Sequence, residues 1–219
     1  MKKLLSVTAT LAFLVACSSV DSTDDGGTPG TPTTPVTPAS GVDPAVAGNL
    51  RSVTFDPVAE TLQVTIYALD GDTVSTTYTR DPTYNVPGYM AFSQQDDSLD
   101  RFFTGFGAAS NDGSSQAVLV VGGGQFNRFY GGAVYEQVGE YTAPASGLAS
   151  YAGTYIGLLN IGTRDGTLPS GEDPDLLPAR AGRVTGDIFL NVDFSDLAVN
   201  GAITNRVDVD VVGVTLDTV

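Results

Sequence analysis

Cys17 is the residue whose surroundings most clearly prescribe a reaction. Its thiol follows Leu14-Val15-Ala16, and ahead of that stand the basic pair Lys2, Lys3 and the apolar run Leu4 to Phe13. A small residue, Ala16, precedes the cysteine, as a signal peptidase requires, so cleavage there would leave a new amino group on Cys17. Thiol and amine are then both open to acylation. The apolar run of about ten residues matches the core of an export signal and is too short to span a bilayer.

The pattern resembles the lipobox of bacterial lipoproteins. Ser18, next after the cysteine, is similar to the residue found there in lipoproteins sent to the outer membrane. The resemblance implies a signal peptide at residues 1–16 and a palmitate-type anchor at Cys17. It also implies a place in the outer membrane of a Gram-negative bacterium, facing either the periplasm or the exterior. An ordinary secretory signal with an incidental cysteine is the alternative.

Beyond Cys17 the composition removes chemistry rather than supplying it. The chain has no histidine and a single cysteine, and its two lysines lie in the signal peptide. The mature chain therefore has no Ser-His-Asp, Cys-His or Ser-Lys arrangement, no Schiff-base lysine and no usual zinc ligand set. Two carboxylates can hydrolyse a glycoside without histidine, but no pair is marked among the many acids. Asp165, Glu172, Asp173 and Asp175 share a loop without the spacing of a calcium site. Gly122 to Asn127, GGGQFN, is followed by a strand pattern and not by a helix, so it reads as a hairpin turn and not as a phosphate cradle. No metal and no cofactor is expected, and an enzyme is not the expected class.

Recognition chemistry is better supplied. Tyrosine, phenylalanine and arginine are the residues enriched at binding hot spots. They cluster in Arg101, Phe102, Phe103 and again in Arg128, Phe129, Tyr130, the candidate ligand-binding residues. The same residue types also fill β cores. The formal charge is −15, and loss of Lys2 and Lys3 takes the mature chain to −17. Such a surface repels nucleic acid and anionic lipid. The expected partners are the membrane, through the anchor, and a protein or small-solute ligand.

The elements that must position these residues are strands. Residues 17–47 form a lipidated linker of Ser, Thr, Asp, Gly and Pro, too poor in apolar groups to fold. After it, alternation and β-branched or aromatic enrichment predict strands at Leu50–Phe55, Thr61–Leu69, Thr73–Arg80, Arg101–Ala108, Gln116–Val121 and Arg128–Gln137. Further strands are predicted at Tyr151–Leu159, Arg183–Phe194, Leu197–Thr204 and Arg206–Leu216. Asp70-Gly71, Asp112-Gly113, Gly122-Gly123-Gly124 and Asn200-Gly201 read as hairpin turns, with a tight turn at Asn205-Arg206. No amphipathic helix of ten or more residues stands out. Thr142 to Gly147 divides residues 48–146, an N-terminal β region, from residues 147–219.

The segments YAGTYIGLLNIG (Tyr151 to Gly162) and GRVTGDIFLNVDFSDLAVNGAITNR (Gly182 to Arg206) resemble the β-barrel of the transferrin-binding protein B group of surface lipoproteins. Gly186, Ile188, Val192, Asp193, Phe194, Gly201 and Ile203 stand in matching places, over residues 151–206. The resemblance implies a C-terminal antiparallel barrel, complete or incomplete, in a surface-exposed binding lipoprotein. The expectation is thus an all-β, acidic, lipid-anchored binding protein of the outer membrane. The alternatives are a structural envelope lipoprotein without soluble ligand and, more distantly, a carboxylate-pair hydrolase.

Overall fold

The computed structural model describes residues 42–67, 72–126, 128–137, 142, 144–159 and 170–210. Cys17, the linker up to residue 41, Asp70-Gly71, Asn127, Asp165 and the run from Val211 to Val219 lie outside the described residues.

The described residues are almost entirely antiparallel β. A short helical turn, α1 (Pro44–Ala47), leads into β1 (Leu50–Asp56), β2 (Thr61–Tyr67), β3 (Thr73–Arg80), β4 (Met90–Gln94), β5 (Phe103–Ala109), β6 (Ser115–Gln125) and β7 (Arg128–Gln137). These seven pair in sequence order, each with the next. A second sheet, in the order β10-β9-β8, is built from β8 (Leu148–Leu159), β9 (Gly182–Asp193) and β10 (Ala198–Asp208). The nearly closed wall is thus that of residues 50–137, and the C-terminal region contributes the open three-stranded sheet. Of these strands, β4 was not marked by the sequence pattern.

Burial follows the pleat. On β2, Leu62, Val64 and Ile66 are buried while Thr61 and Gln63 face solvent. With Leu50, Phe55, Tyr78, Phe92, Val118 and Val120 they fill the barrel interior, each large side chain contributing roughly 1.5–3 kcal/mol. Phe55 meets Phe92 edge to face at 6.1 Å, and room for Phe55 comes from glycine. A Cβ at Gly107 would lie 2.6 Å from the Phe55 ring, and one at Gly105 would lie 2.8 Å from Leu62.

β6 is apolar on both faces because it is covered on both. Its outer residues Leu119 and Val121 pack with Ala133 and Ala181, and Leu158 of β8 lies against them. On neighbouring strands Phe106 and Ala91 meet Ile156 of β8. The second sheet therefore lies against the outside of β4, β5 and β6, and Tyr89 and Thr154 hydrogen-bond across that contact.

The gap between β1 and β7 is bridged by the entering chain. The Asn49 amide donates to Gly131 O (3.0 Å), and the Gly131 amide donates to the Asn49 side chain (3.2 Å). Gly48 carries φ 55°, and a Cβ there would fall 2.2 Å from Gly131 O, so both conformation and space demand glycine. Asp43 caps α1 by accepting from the Ala45 amide at 2.8 Å.

Three turn expectations are corrected. Asn200-Gly201 is not a hairpin but lies inside β10, opposite Asn191 and Leu190. The β9–β10 turn is residues 194–197, where Asp193 and Asp196 accept from the amides of Ser195 and Ala198 and Leu197 takes φ 59°. Aspartate side chains make this turn where a glycine was expected to. Gly201 is required for space instead, since a Cβ would lie 2.1 Å from Phe189 O. Asn205-Arg206 is no tight turn either. It is a bulge between Thr204 and Val207, with Asn205 at φ 52°, and β10 runs through it to Asp208 still paired with β9. The partner of residues 206–208 is therefore β9 and not Leu197–Thr204. Finally, Gly122 to Gly124 belong to β6, and the turn follows them at Phe126, φ 53°, between the paired residues Gln125 and Arg128.

Candidate functional site

The β2–β3, β4–β5 and β6–β7 connections lie at one end of the barrel. This end holds a cavity of about 410 Å³ lined by Ile66, Val74, Tyr78, Leu99, Phe103, Tyr130 and their neighbours. Three apolar side chains on its rim stand in water: Val74 at 45%, Leu99 at 50% and Phe126 at 50% exposure. Exposed single apolar residues are ordinary, but a group around one opening marks a binding mouth.

The rim is held in place by its own hydrogen bonds. The Leu99 amide donates to Asp97 Oδ1 at 3.1 Å, and Gln95 Nε2 donates to the carbonyl of Asp100 at 2.8 Å. Gln125, 5% exposed, donates to the carbonyls of Leu99 (2.6 Å) and Leu176 (3.1 Å), tying the β4–β5 loop to the turn at Pro174–Leu176.

Arg101 forms the polar seat. It is 9% exposed. Nη1 donates to the carbonyls of Gly123 (2.8 Å) and Arg128 (2.7 Å), Nη2 donates to that of Gln125 (3.1 Å), and the guanidinium lies 4.8 Å from the Tyr130 ring centroid. Burial pulls its pKa down; Tyr130 opposes that shift and Arg128 adds to it. Gly122 is what admits this arrangement, because a Cβ there would press on Phe103 at 2.8 Å and on Arg101 Cδ at 2.9 Å. Gly123 lies under the crossing segment at Ala179, whose carbonyl would be 1.5 Å from a Cβ. Gly124 lies under the ring of Phe129. The glycine triplet thus serves three separate close approaches.

Tyr78 is the second polar group in the cavity lining. It is 2% exposed, its hydroxyl has no hydrogen-bond partner among the described residues, and burial pushes its pKa far up. An orphaned buried hydroxyl carries a desolvation penalty of roughly 1–3 kcal/mol unless something completes it.

Three of the six candidate residues line the cavity and three do not. Arg101, Phe103 and Tyr130 come together in the cavity lining. Phe102 points the other way, with the Arg180 guanidinium 4.2 Å from its ring. Arg128 is exposed and offers only its carbonyl to Arg101, and Phe129 covers Gly124 outside. Tyr67, Tyr78, Leu99, Phe126 and Gln125 are among the other lining residues and were not among the candidates. Strand parity could have found Tyr78, which shares its face with Leu62 opposite.

Other charged groups hold structure together. Arg183 makes a two-pronged pair with Asp210 (2.6 and 3.0 Å) and donates to the Tyr84 carbonyl (3.0 Å). Glu172 and Asp173 are exposed, and among the described residues no group of three or more His, Cys, Asp or Glu side chains is placed to hold a metal. No helix among the described residues is long and apolar enough to cross a membrane. Comparison with protein-family models, with curated proteins and with solved structures gives no match for this chain.

Proposed function

We propose that this chain is a lipid-anchored binding protein of the outer membrane. It is tethered through Cys17 and takes a small solute into the mouth of its barrel without transforming it. One observation carries the reading: a cavity of ligand size, ringed by exposed apolar side chains, contains a buried guanidinium and an unpartnered buried hydroxyl. Such a cavity, mostly apolar with a few convergent polar groups, is the usual form of a small-molecule site. The missing histidine, mature-chain lysine and thiol leave binding as the simplest use of it. The anchor and the transferrin-binding protein B resemblance agree with a cell-envelope receptor.

Native mass spectrometry of the chain, isolated gently from bacterial envelopes, tests this. The expected result is a small-molecule adduct that is lost when Leu99→Asp and Phe126→Asp place charges on the rim. Bare protein from both forms would count against solute binding and for a structural envelope role.

A further inference from the structure

Arg101 and Tyr78 narrow the chemistry of the ligand. The three groups that accept from the Arg101 guanidinium are backbone carbonyls, which satisfy hydrogen bonds but carry no net charge. A buried positive charge without a counter-charge is costly. Of five N–H groups, three are used, which leaves Nε–H and one Nη2–H without a protein acceptor among the described residues. Asp96 and Asp100 line the same cavity but are exposed, and the titratable groups acting on Arg101 are Tyr130 and Arg128, neither of them a carboxylate. The Tyr78 hydroxyl is also short of a partner.

A guanidinium with N–H groups to spare and an unpartnered hydroxyl, both on residues that line one largely apolar cavity, fit a single group with two acceptor oxygens. We infer that the ligand is a compact apolar molecule bearing one carboxylate, which accepts from Arg101 and Tyr78. Its body lies against Phe103, Tyr130, Leu99 and Phe126. This rests on the reading of the cavity as a binding site. The acidic exterior slows the approach of an anion, so association should quicken as salt screens it.

The probes are 2-naphthoate and its neutral isostere 2-naphthamide, titrated calorimetrically into the purified full-length chain. Naphthoate should bind one per chain, about tenfold or more tighter than naphthamide, a ratio in keeping with one charge-assisted hydrogen bond. Arg101 also clamps the β6–β7 hairpin, so its removal could cost the fold. Tyr78→Phe removes only the unpartnered oxygen, and should cut naphthoate affinity several-fold and narrow its preference over naphthamide. Equal affinity for the two probes, or an unmoved preference in Tyr78→Phe, would overturn the carboxylate and leave the cavity standing as a neutral site. Failure of both probes to bind would overturn the carboxylate and the cavity reading together.

Discussion

The hydroxyl of Tyr89 donates to the carbonyl of Thr154 at 2.7 Å, joining the approach to β4 in the barrel to the middle of β8 in the second sheet. Both sides of this contact are apolar, with Val86, Ala91 and Phe106 meeting Ile156 around it. The bond is therefore a polar rivet in a dry seam, where its loss is felt more than on a surface.

Burial, together with Tyr155, pushes the Tyr89 pKa up to about 12. The folded value lies above the unfolded one, so the stabilisation is complete below about pH 10 and is lost as pH rises toward the folded value. Tyr89→Phe should cost about 1 kcal/mol at pH 8. It should also shrink the fall in melting temperature between pH 10 and 12, a fall that Tyr78 and Tyr155 share. An identical fall in variant and wild type would show that Tyr89 is not part of it.

Gly107→Val tests the barrel interior. The added methyl groups must displace Phe55, whose ring would stand only 2.6 Å from a Cβ on residue 107. Overpacking of this kind costs about 1–3 kcal/mol. Chemical denaturation should show a lower midpoint with an unchanged slope, and an equal midpoint would place the residue 107 position away from Phe55.

Gly201→Val should also destabilise, but as a strand defect. Its Cβ would strike the Phe189 carbonyl at 2.1 Å, opening the β9–β10 ladder. Amides of β10 should then exchange faster while β2 and β3 keep their protection. Loss of protection throughout the barrel would mean that the two sheets unfold as one unit.

Asp112 sits on the surface, yet its pKa is held down to about 2 by the Ser110 hydroxyl and by the amide and hydroxyl of Ser114. Its folded value is depressed, so the turn is fully stabilised above about pH 4 and loosens as pH falls toward 2. Carboxyl NMR should show this aspartate titrating well below its exposed neighbours. An ordinary titration would mean that the Ser110–Ser114 clasp does not form in solution.

Cys17→Ser tests the anchor. Cells fed an alkynyl palmitate should label the wild type and not the variant, and the variant should persist as unprocessed precursor. Equal label in both would move the lipid elsewhere or remove it.

The all-β class and most strands were legible because alternation and β-branched enrichment are local properties of the chain. β4 escaped because Met90 to Gln94 is buried partly by the second sheet, a tertiary fact with no period-2 trace. The β6–β7 turn falls inside GGGQFN and the β9–β10 turn in the gap left between two predicted strands, but the residues that make them were misassigned: aspartate side chains and non-glycine residues with positive φ form these turns, while the Asn-Gly and triple-glycine signals answer to close backbone approach. The site was half legible: composition found Arg101, Phe103 and Tyr130. Only the fold shows that Phe102 and Phe129 face away from the cavity, that Arg128 stands exposed and outside its lining, and that Tyr78, from a strand without an aromatic cluster, lines it.

The order of the strands also has a kinetic consequence. Each of β1 to β7 finds its partner in the next segment of chain, so pairing can advance hairpin by hairpin, on microsecond scales for each step. The bridge between Asn49 and Gly131, by contrast, joins residues 82 apart, a loop whose closure entropy grows slowly with length but yields nothing until both ends are formed. The barrel should therefore zip from either end and seal late. Until it does, β1 and β7 each offer a bare edge to neighbouring chains, so the seam around Gly48, Gly131 and Gly132 governs how much product reaches the folded state when many copies fold side by side.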